Sequence, residues 1–148
     1  MTRGSSTIES LHHVCTLLAK EPLTALQVAA QLGTIVRDEG GRLQIVVRPA
    51  DGVFREAHVI RRADGDEPNS IDLWLTDPRA LTVAKLRAAL GDYVEPPPVH
   101  YDSPVEIAFT PQPTAGHITC TIIAQVEPGP SGTAGGTVPR VTVRRDHR

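Results

Sequence analysis

The sequence predicts an α+β protein in which helices pack on one face of an antiparallel sheet. Helical periodicity occupies the start of the chain, whereas alternating apolar and polar residues dominate later stretches. Short turn segments rich in Gly, Pro, Asp and Asn separate these stretches, as in antiparallel meanders. Two similar segments, LTALQVAAQLG at 23–33 and LTVAKLRAALG at 81–91, each precede a set of strands. The chain is therefore predicted to contain two helix-plus-antiparallel-meander repeats.

Two helices are predicted before the first strands. Residues 6–20 carry apolar side chains at spacings of three and four, which is the pattern of one buried helical stripe: Ile8, Leu11, Cys15 and Leu18. Pro22 ends this helix because proline cannot continue the backbone hydrogen-bond pattern. Thr24 and Gln27 have the spacing of a capping box and begin the second helix. Gly33 is predicted to end that helix in left-handed geometry.

Six strands complete the predicted fold, three after each of the similar segments. The alternating or β-branched runs lie at 43–49, 55–62, 71–76, 105–111, 117–126 and 138–145. The apolar side chains of these runs are expected to face the helices, although the phase of 55–62 is ambiguous. A Pro-rich stretch at 95–104 is expected to be an extended connector. The Gly-rich stretch at 127–137 is expected to be a flexible loop.

The predicted organisation has three parts: an N-terminal helix at 1–21, a first repeat at 22–76 and a second repeat at 77–148. Each repeat contains one helix and three strands. Segments 23–33 and 81–91 share Leu, Thr, Ala, Leu and Gly at equivalent positions, and the first strand of each repeat ends in Pro. Chance similarity is the alternative, because Thr-capped amphipathic helices that end in Gly are common.

The LT-x-x-x-(L/V) helix that ends in Leu-Gly, followed by an antiparallel meander, resembles two known groups. One is the repeat of the beta-lactamase-inhibitor-protein family, which occurs in tandem. The other is the small outer-membrane lipoprotein domain of the beta-barrel assembly machinery. The resemblance covers about residues 22–145 and implies a sheet whose open face binds another protein. The inhibitor family is secreted and has disulfides within its repeats, features that this sequence does not predict.

Composition and charge limit the classes of partner. The formal net charge of −2 argues against general nucleic-acid binding, which requires a basic surface. No apolar run has the length of a signal peptide or a membrane span, so the sequence predicts a soluble, cytoplasmic protein. Abundant Arg, Ala, Gly and Pro are typical of GC-rich bacterial coding. Cys15 and Cys120 are expected to be two buried, reduced thiols, since free cysteine is usually buried.

The predicted protein-binding face is the side of the sheet opposite the helices. Trp74, the only tryptophan, is out of phase with the apolar positions of its strand, so it is expected on this side. Trp and Arg are common anchors of protein interfaces. The face is predicted to include Gln44, Arg48, Asp72, Trp74, Thr76, Thr119, Thr121, Arg140 and Arg144. The alternatives are a homodimer interface and a Trp74 that packs at the sheet edge or under a loop.

The residues that carry chemistry do not form a recognisable catalytic or metal-binding motif. His12, His13 and Cys15 lack the second ligand pair that a structural zinc site needs. His117 and Cys120 are three residues apart on a predicted strand, so their side chains point to opposite faces. The sequence has neither a phosphate-binding glycine loop nor a nucleophile elbow. We therefore expect no metal, no cofactor and no enzymatic activity.

The sequence favours a non-enzymatic protein-binding module, such as an inhibitor, an immunity-type protein or an adaptor. The alternative is a small-molecule-binding protein or enzyme with a pocket between sheet and helices, for which the candidates are His58, His100, Tyr101 and His117. Helix-turn-helix DNA binding is less favoured. Gly40, Gly41 and then β-branched residues follow the helix at 23–33, where a recognition helix would be needed.

Overall fold

The helices and strands follow the change in the sequence from helical to alternating periodicity. The structure is a computed structural model that describes residues 3–20, 23–39, 44–63, 65–97, 102–114 and 118–147. Its helices are α1 (Arg3–Ala19), α2 (Ala25–Leu32) and α3 (Val83–Leu90). Its strands are β1 (Gly33–Asp38), β2 (Gln44–Pro49), β3 (Phe54–Arg61), β4 (Pro68–Leu75), β5 (Tyr93–Val94), β6 (Val105–Phe109), β7 (Gln112–Pro113), β8 (Ile118–Gly129) and β9 (Gly132–His147). The α+β class predicted from the sequence is confirmed.

Threonine caps begin the two shorter helices. Thr24 Oγ1 accepts a hydrogen bond from the Gln27 backbone N–H at 3.2 Å, and Gln27 Oε1 accepts one from the Thr24 N–H at 2.8 Å. This reciprocal pair is the capping box predicted for α2. Thr82 caps α3 through a 3.1 Å hydrogen bond from the Lys85 N–H. By contrast, α1 begins at Arg3, earlier than the sequence pattern predicts.

The glycines that follow α2 and α3 look equivalent in sequence but have different conformations. Gly91 has a φ of 95°, in the left-handed region that favours glycine. Gly33 has a φ of 165°, which is extended, so the left-handed geometry predicted for it is wrong. Glycine is needed there for a different reason, because a Cβ atom would lie 2.1 Å from the Arg48 carbonyl oxygen on the paired strand β2. Helix α2 therefore leads directly into strand β1.

The strands form one antiparallel sheet in the order β1-β2-β3-β4-β9-β8-β6-β5, and β7 pairs with β8 outside this path. Strands β4 and β9 pair at the centre, from Ser70 opposite Arg144 to Trp74 opposite Arg140. Counted inward from the two edges, the strands occur in chain order: β1 to β4 from one side, and β5, β6, β8 and β9 from the other. The centre of the sheet therefore joins the last strands of the two halves of the chain.

Helices α1, α2 and α3 share a single apolar core with one face of this sheet. Helix α2 packs on β1 to β4, whereas α1 packs on β8 and β9, and α3 packs on β9. Ala57 and Val59 are buried, which assigns the phase of β3 that the sequence pattern left open. Val105 is partly buried, and Leu43 lies outside the described residues. The predicted phase is confirmed at the buried positions Ile45, Val47, Ile71, Leu73, Leu75, Ile107, Phe109, Ile118, Cys120, Ile122, Ala124, Val126, Val141 and Val143.

The segment predicted as a flexible loop at 127–137 instead forms the bulged end of the β8–β9 hairpin. Glu127 pairs with Thr137 between two register shifts. Glycine allows the two backbones to approach, because a Cβ atom at Gly136 would lie 2.6 Å from the Glu127 carbonyl oxygen. The prediction failed because a glycine-rich bulged strand lacks the alternating side chains that identify a strand.

Cys15 and Cys120 form a disulfide that ties α1 to β8. Both cysteines are buried as predicted, with 4% and 1% of their surface exposed, but the prediction of two reduced thiols is wrong. The two residues are 105 positions apart, and the packing of α1 across the sheet brings their Cα atoms to 5.7 Å. The spacing of the two cysteines in the sequence gives no information about how α1 packs on the sheet, so it could not predict the disulfide.

Candidate functional site

The helix-free face of the sheet carries two neighbouring rows of side chains at its centre. These rows follow the strand register across β3, β4 and β9. We name their six residues the central cluster: Glu56, Trp74 and Arg140 in one row, and His58, Asp72 and Thr142 in the other. Because side chains alternate along a strand, the cluster lies on the side opposite the core residues Ala57, Leu73 and Val141.

Trp74 is the aromatic centre of the cluster and is half-buried. The guanidinium carbon of Arg140 lies 4.7 Å from the centroid of the indole ring, which is a cation–π contact. The imidazole ring of His58 lies with its centroid 4.5 Å from that of the indole, and the two planes are inclined by 54°. A cation and a second ring therefore hold the indole, while part of its surface stays exposed.

Asp72 fixes the position of Arg140. The Arg140 guanidinium donates to Asp72 Oδ2 at 3.0 Å, and Thr142 Oγ1 donates to Asp72 Oδ1 at 2.6 Å. The Asp72 side chain is 17% exposed and the Arg140 side chain is 37% exposed, so the pair lies at the boundary between the sheet and solvent. Both carboxylate oxygens are thus used within the chain, and the guanidinium is held over the indole of Trp74.

His58 is oriented by Glu56, which lies two residues earlier on β3 and therefore on the same face. His58 Nε2 lies 2.8 Å from Glu56 Oε2, a hydrogen bond that becomes an ion pair when the imidazole is protonated. The His58 side chain is 16% exposed, whereas the Glu56 side chain is 43% exposed. An exposed carboxylate thus orients a more buried ring, and that ring contacts Trp74.

A second polar cluster on β8 and β9 lies next to the central cluster. Arg144 Nε donates to Asp146 Oδ1 at 2.9 Å, and Thr121 Oγ1 donates to Asp146 Oδ2 at 2.5 Å. Thr121 is only 4% exposed, so it supports Asp146 and offers little surface of its own. Thr119 pairs with Asp146 across the two strands and is partly exposed. The structure therefore places the predicted residues Arg144, Thr119 and Thr121 in one patch.

Three of the residues predicted for the binding face lie away from these clusters. Gln44 begins β2, and its side-chain amide donates to Glu39 Oε1 at 3.0 Å. Arg48 is exposed near the other end of β2. Thr76 follows the end of β4, donates to the Gly52 carbonyl oxygen at 2.8 Å and lines a cleft of about 420 Å³. These three residues border the face at its ends.

Sequence reasoning did not place three members of the two clusters on this face: Glu56, His58 and Asp146. The phase of β3 was ambiguous because Ala57 is a weak apolar marker. Alternation of Ala57 with Val59 is the signal that places His58 on the other face. Asp146 was missed because β9 continues past the predicted strand end, to His147.

The alternative pocket between sheet and helices loses one of its candidates. His58 lies on the helix-free face, away from the core. His100, Tyr101 and His117 lie outside the described residues. Within the described part of the chain, no group of three or more His, Cys, Asp or Glu side chains could hold a metal ion.

No protein-family model, curated protein or solved structure matches this chain. In the described ranges, no helix combines the length and the apolar character needed to cross a bilayer. Function is therefore inferred from the geometry of the central cluster.

Proposed function

We propose that this chain is a non-enzymatic protein-binding module that uses the helix-free face of its sheet. Trp74 carries this proposal, because it is partly exposed and is held between Arg140 and His58 near the middle of that face. Trp and Arg are enriched among the residues that dominate the free energy of protein association. A partner that covers the central cluster would bury the remaining surface of the indole and the guanidinium together.

The central cluster is held in place before a partner binds. Asp72 accepts hydrogen bonds from both Arg140 and Thr142, so the guanidinium is already ordered. Glu56 orders the His58 ring in a similar way. Immobilising a flexible side chain at an interface costs about 0.5–1.5 kcal/mol. An Arg140 that is already ordered lowers this cost, which favours a role in recognition.

The charged groups at the centre of the face are paired within the chain, and this indicates the kind of partner. The ion pairs are Arg140 with Asp72 and Arg144 with Asp146, and His58 is hydrogen-bonded to Glu56. Such a balanced face would recognise a partner by shape and by local contacts at Trp74 and Arg140 rather than by long-range attraction. The target of an inhibitor, an immunity-type protein or an adaptor fits this description. A nucleic acid does not, since its binding depends on unpaired basic charge.

We also propose that the chain consists of two repeats, at 22–76 and 77–148. Two sets of strands run inward from opposite sheet edges, each after a Thr-capped helix. Both helix starts are tied to the sheet centre: the Ala25 N–H donates to the Asp66 carbonyl oxygen just before β4, and the Val138 N–H of β9 donates to the Leu81 carbonyl oxygen. This arrangement supports a tandem fold similar to that of the beta-lactamase-inhibitor-protein family.

The cytoplasmic location stays a prediction. Disulfides form and persist mainly in oxidising compartments, such as the bacterial periplasm or the extracellular medium. The bond between Cys15 and Cys120 therefore argues against a reducing cytoplasm. For this reason, the search for a partner includes both intracellular and secreted fractions of the host.

Capture of a partner tests the proposed function. The tagged wild-type chain, Trp74→Ala and Leu26→Ala are incubated with host fractions, and bound proteins are quantified by mass spectrometry. Leu26 is a matched control because it is an apolar side chain on α2, 46% exposed and away from the helix-free face. Wild type and Leu26→Ala are expected to retain the same stoichiometric partner, and Trp74→Ala is expected to lose it.

Sedimentation of the purified chain tests whether a second copy of the chain binds the helix-free face instead. A dimer that Trp74→Ala dissociates would assign the face to self-association. Equal recovery of one partner by all three chains, or no stoichiometric partner at all, would contradict the proposal of a heterologous binding face.

A further inference from the structure

A cleft of about 360 Å³ opens next to the disulfide, on the helix side of the sheet. One wall consists of the C-terminal half of α1 and the residue after it, including His12, Thr16 and Lys20. The other wall is the short segment at and after β7, including Gln112 and Thr114. The cleft is therefore distinct from the helix-free face, and its chemistry does not depend on the proposed function.

Cys15 lines this cleft, and Cys120 is not among its lining residues. Both cysteines are buried, with 4% and 1% of their surface exposed, so the cleft at Cys15 is the feature that distinguishes them. A thiolate opens a disulfide by attacking one of its sulfur atoms, and access decides which sulfur is attacked. The position of the cleft therefore directs an incoming thiolate to Cys15.

The charge of the cleft also suits a thiolate. Lys20 contributes a cation to its wall, and the described lining residues include no Asp or Glu. Because the attacking group is an anion, a neighbouring cation favours its approach. Lys20 is exposed and lines the cleft, so an incoming anion can approach it from solvent.

We propose that the Cys15–Cys120 disulfide is a thiol–disulfide exchange site for a dithiol reductant that enters through this cleft. The thiolate of the reductant bonds to Cys15 Sγ, the bond between the cysteines breaks, and its electron pair leaves on Cys120 Sγ. The second thiol of the reductant, as a thiolate, then attacks the reductant sulfur of the mixed disulfide and releases the Cys15 thiolate. The reductant becomes a cyclic disulfide, and the two cysteines take up two protons from water.

Helix α1 stays docked after this exchange, so the reaction is reversible. Its apolar side chains Leu11, Val14 and Leu18 are buried in the core with at most 3% of their surface exposed. These contacts keep Cys15 close to Cys120 when the bond is open. An oxidant of the disulfide class can therefore form the bond again without refolding of the chain.

Reduction by dithiothreitol under native conditions tests the route of entry. The rate is expected to rise linearly with dithiothreitol concentration. Thr16→Trp, which fills the cleft from an exposed position on α1, is expected to slow reduction at least tenfold. The matched control is Ala88→Trp, which fills a different cleft beside α3 and should leave the rate unchanged. Melting temperatures of the oxidised variants show that each chain is folded.

Two results of this experiment would overturn the exchange site. One is a rate that does not depend on dithiothreitol concentration, since reduction then waits for unfolding. The other is a folded Thr16→Trp chain that is reduced as fast as wild type.

The sulfur that is attacked can be identified in the wild-type chain without any substitution. The oxidised chain is treated with reduced glutathione, quenched in acid, unfolded and alkylated with N-ethylmaleimide. Peptide mapping is expected to show glutathione on Cys15 and N-ethylmaleimide on Cys120, in at least tenfold excess over the reverse pattern. Equal labelling of the two cysteines, or glutathione mainly on Cys120, contradicts attack through the cleft.

Discussion

Leu73 and Trp74 are neighbours on β4, but their side chains have different surroundings. Leu73 is fully buried between the sheet and the helices, as is Val141 on the paired strand β9. Trp74 and Arg140, on the other face, are covered by each other and by the cluster residues around them. The helices of the chain therefore cover one face of the sheet. The helix-free face has ordered side chains but is still accessible to a partner.

The helix-free face is more than a solvated surface. Val46 and Thr121 lie on this side, yet each is only 4% exposed. Val46 lies opposite His58 on β3, and Thr121 donates a hydrogen bond to Asp146, so both have ordered neighbours on the same face. A face with this internal order loses little conformational freedom when a partner covers it.

The largest expected loss of stability follows a substitution on the buried face of the sheet. Leu73→Ala should lower the free energy of unfolding by about 3–5 kcal/mol, because it leaves a cavity among residues that cannot close around it. Trp74→Ala should cost less than half of that, since the indole is only partly buried. Urea denaturation of both variants checks the difference. An equal loss for both would show that Trp74 is a core residue.

Removing the disulfide should have the next largest effect. The Cys15→Ala/Cys120→Ala double variant is expected to lose about 2–4 kcal/mol of stability, because the bond closes a long loop in the unfolded chain. Fluorescence of the folded variant should match that of wild type, since Trp74 lies on the other face of the sheet. A changed emission maximum would mean that the two faces are not independent.

Loss of Asp72 should disturb only the helix-free face. Asp72→Ala removes the acceptor for Arg140 and Thr142, and it should lower the free energy of unfolding by about 2 kcal/mol. It should also change Trp74 fluorescence, because the guanidinium is no longer held over the indole. Asp72→Asn, which keeps an acceptor for Thr142, should cost less. Equal losses for the two variants would exclude hydrogen bonding as the reason.

The smallest expected effect is at the edge of the sheet, where Arg61 binds Asp38 by two hydrogen bonds of 2.8 and 2.7 Å. The hydrogen bond to Asp38 raises the pKa of the Arg61 guanidinium above its ordinary value. A raised pKa stabilises the fold below the unfolded-state pKa, and this contribution disappears only above the folded-state pKa. Arg61→Met should therefore lower the free energy of unfolding by about 1 kcal/mol, and this loss should be constant between about pH 6 and 9.

Urea denaturation at several pH values checks the effect of Arg61→Met. The control is Arg62→Met, because Arg62 is more exposed and its contact with Glu67 is longer, at 3.5 Å. This control should change stability by less than about 0.5 kcal/mol. A loss for Arg61→Met that disappears between those pH values would assign the effect to a different titrating group.

The alternation of apolar and polar side chains predicted correctly which face of the sheet most strand residues occupy. Leu73 and Trp74 were assigned to opposite faces from the pattern around them, and Ile122 and Val143 were assigned to the core. Alternation works for such strands because burial on one face imposes a period of two. Strand β1 was missed because its exposed residues, including Val36, give it no clear period at the sheet edge.

The assembly of the central cluster could not be predicted from the pattern. Asp72 and Arg140 are 68 residues apart, and they meet only because β4 pairs with β9 at the centre of the sheet. Such long-range pairing depends on topology, which alternation does not encode. The disulfide has the same origin, since the packing of α1 on the sheet places Cys15 beside Cys120.

The most direct test of the binding face is the affinity of a captured partner for Trp74→Ala. Calorimetric titration should show that this variant binds at least 30-fold more weakly than wild type, which corresponds to a loss of about 2 kcal/mol. Leu26→Ala should bind like wild type, and both variants should still be folded at the temperature of the titration. An unchanged affinity for Trp74→Ala would contradict the account.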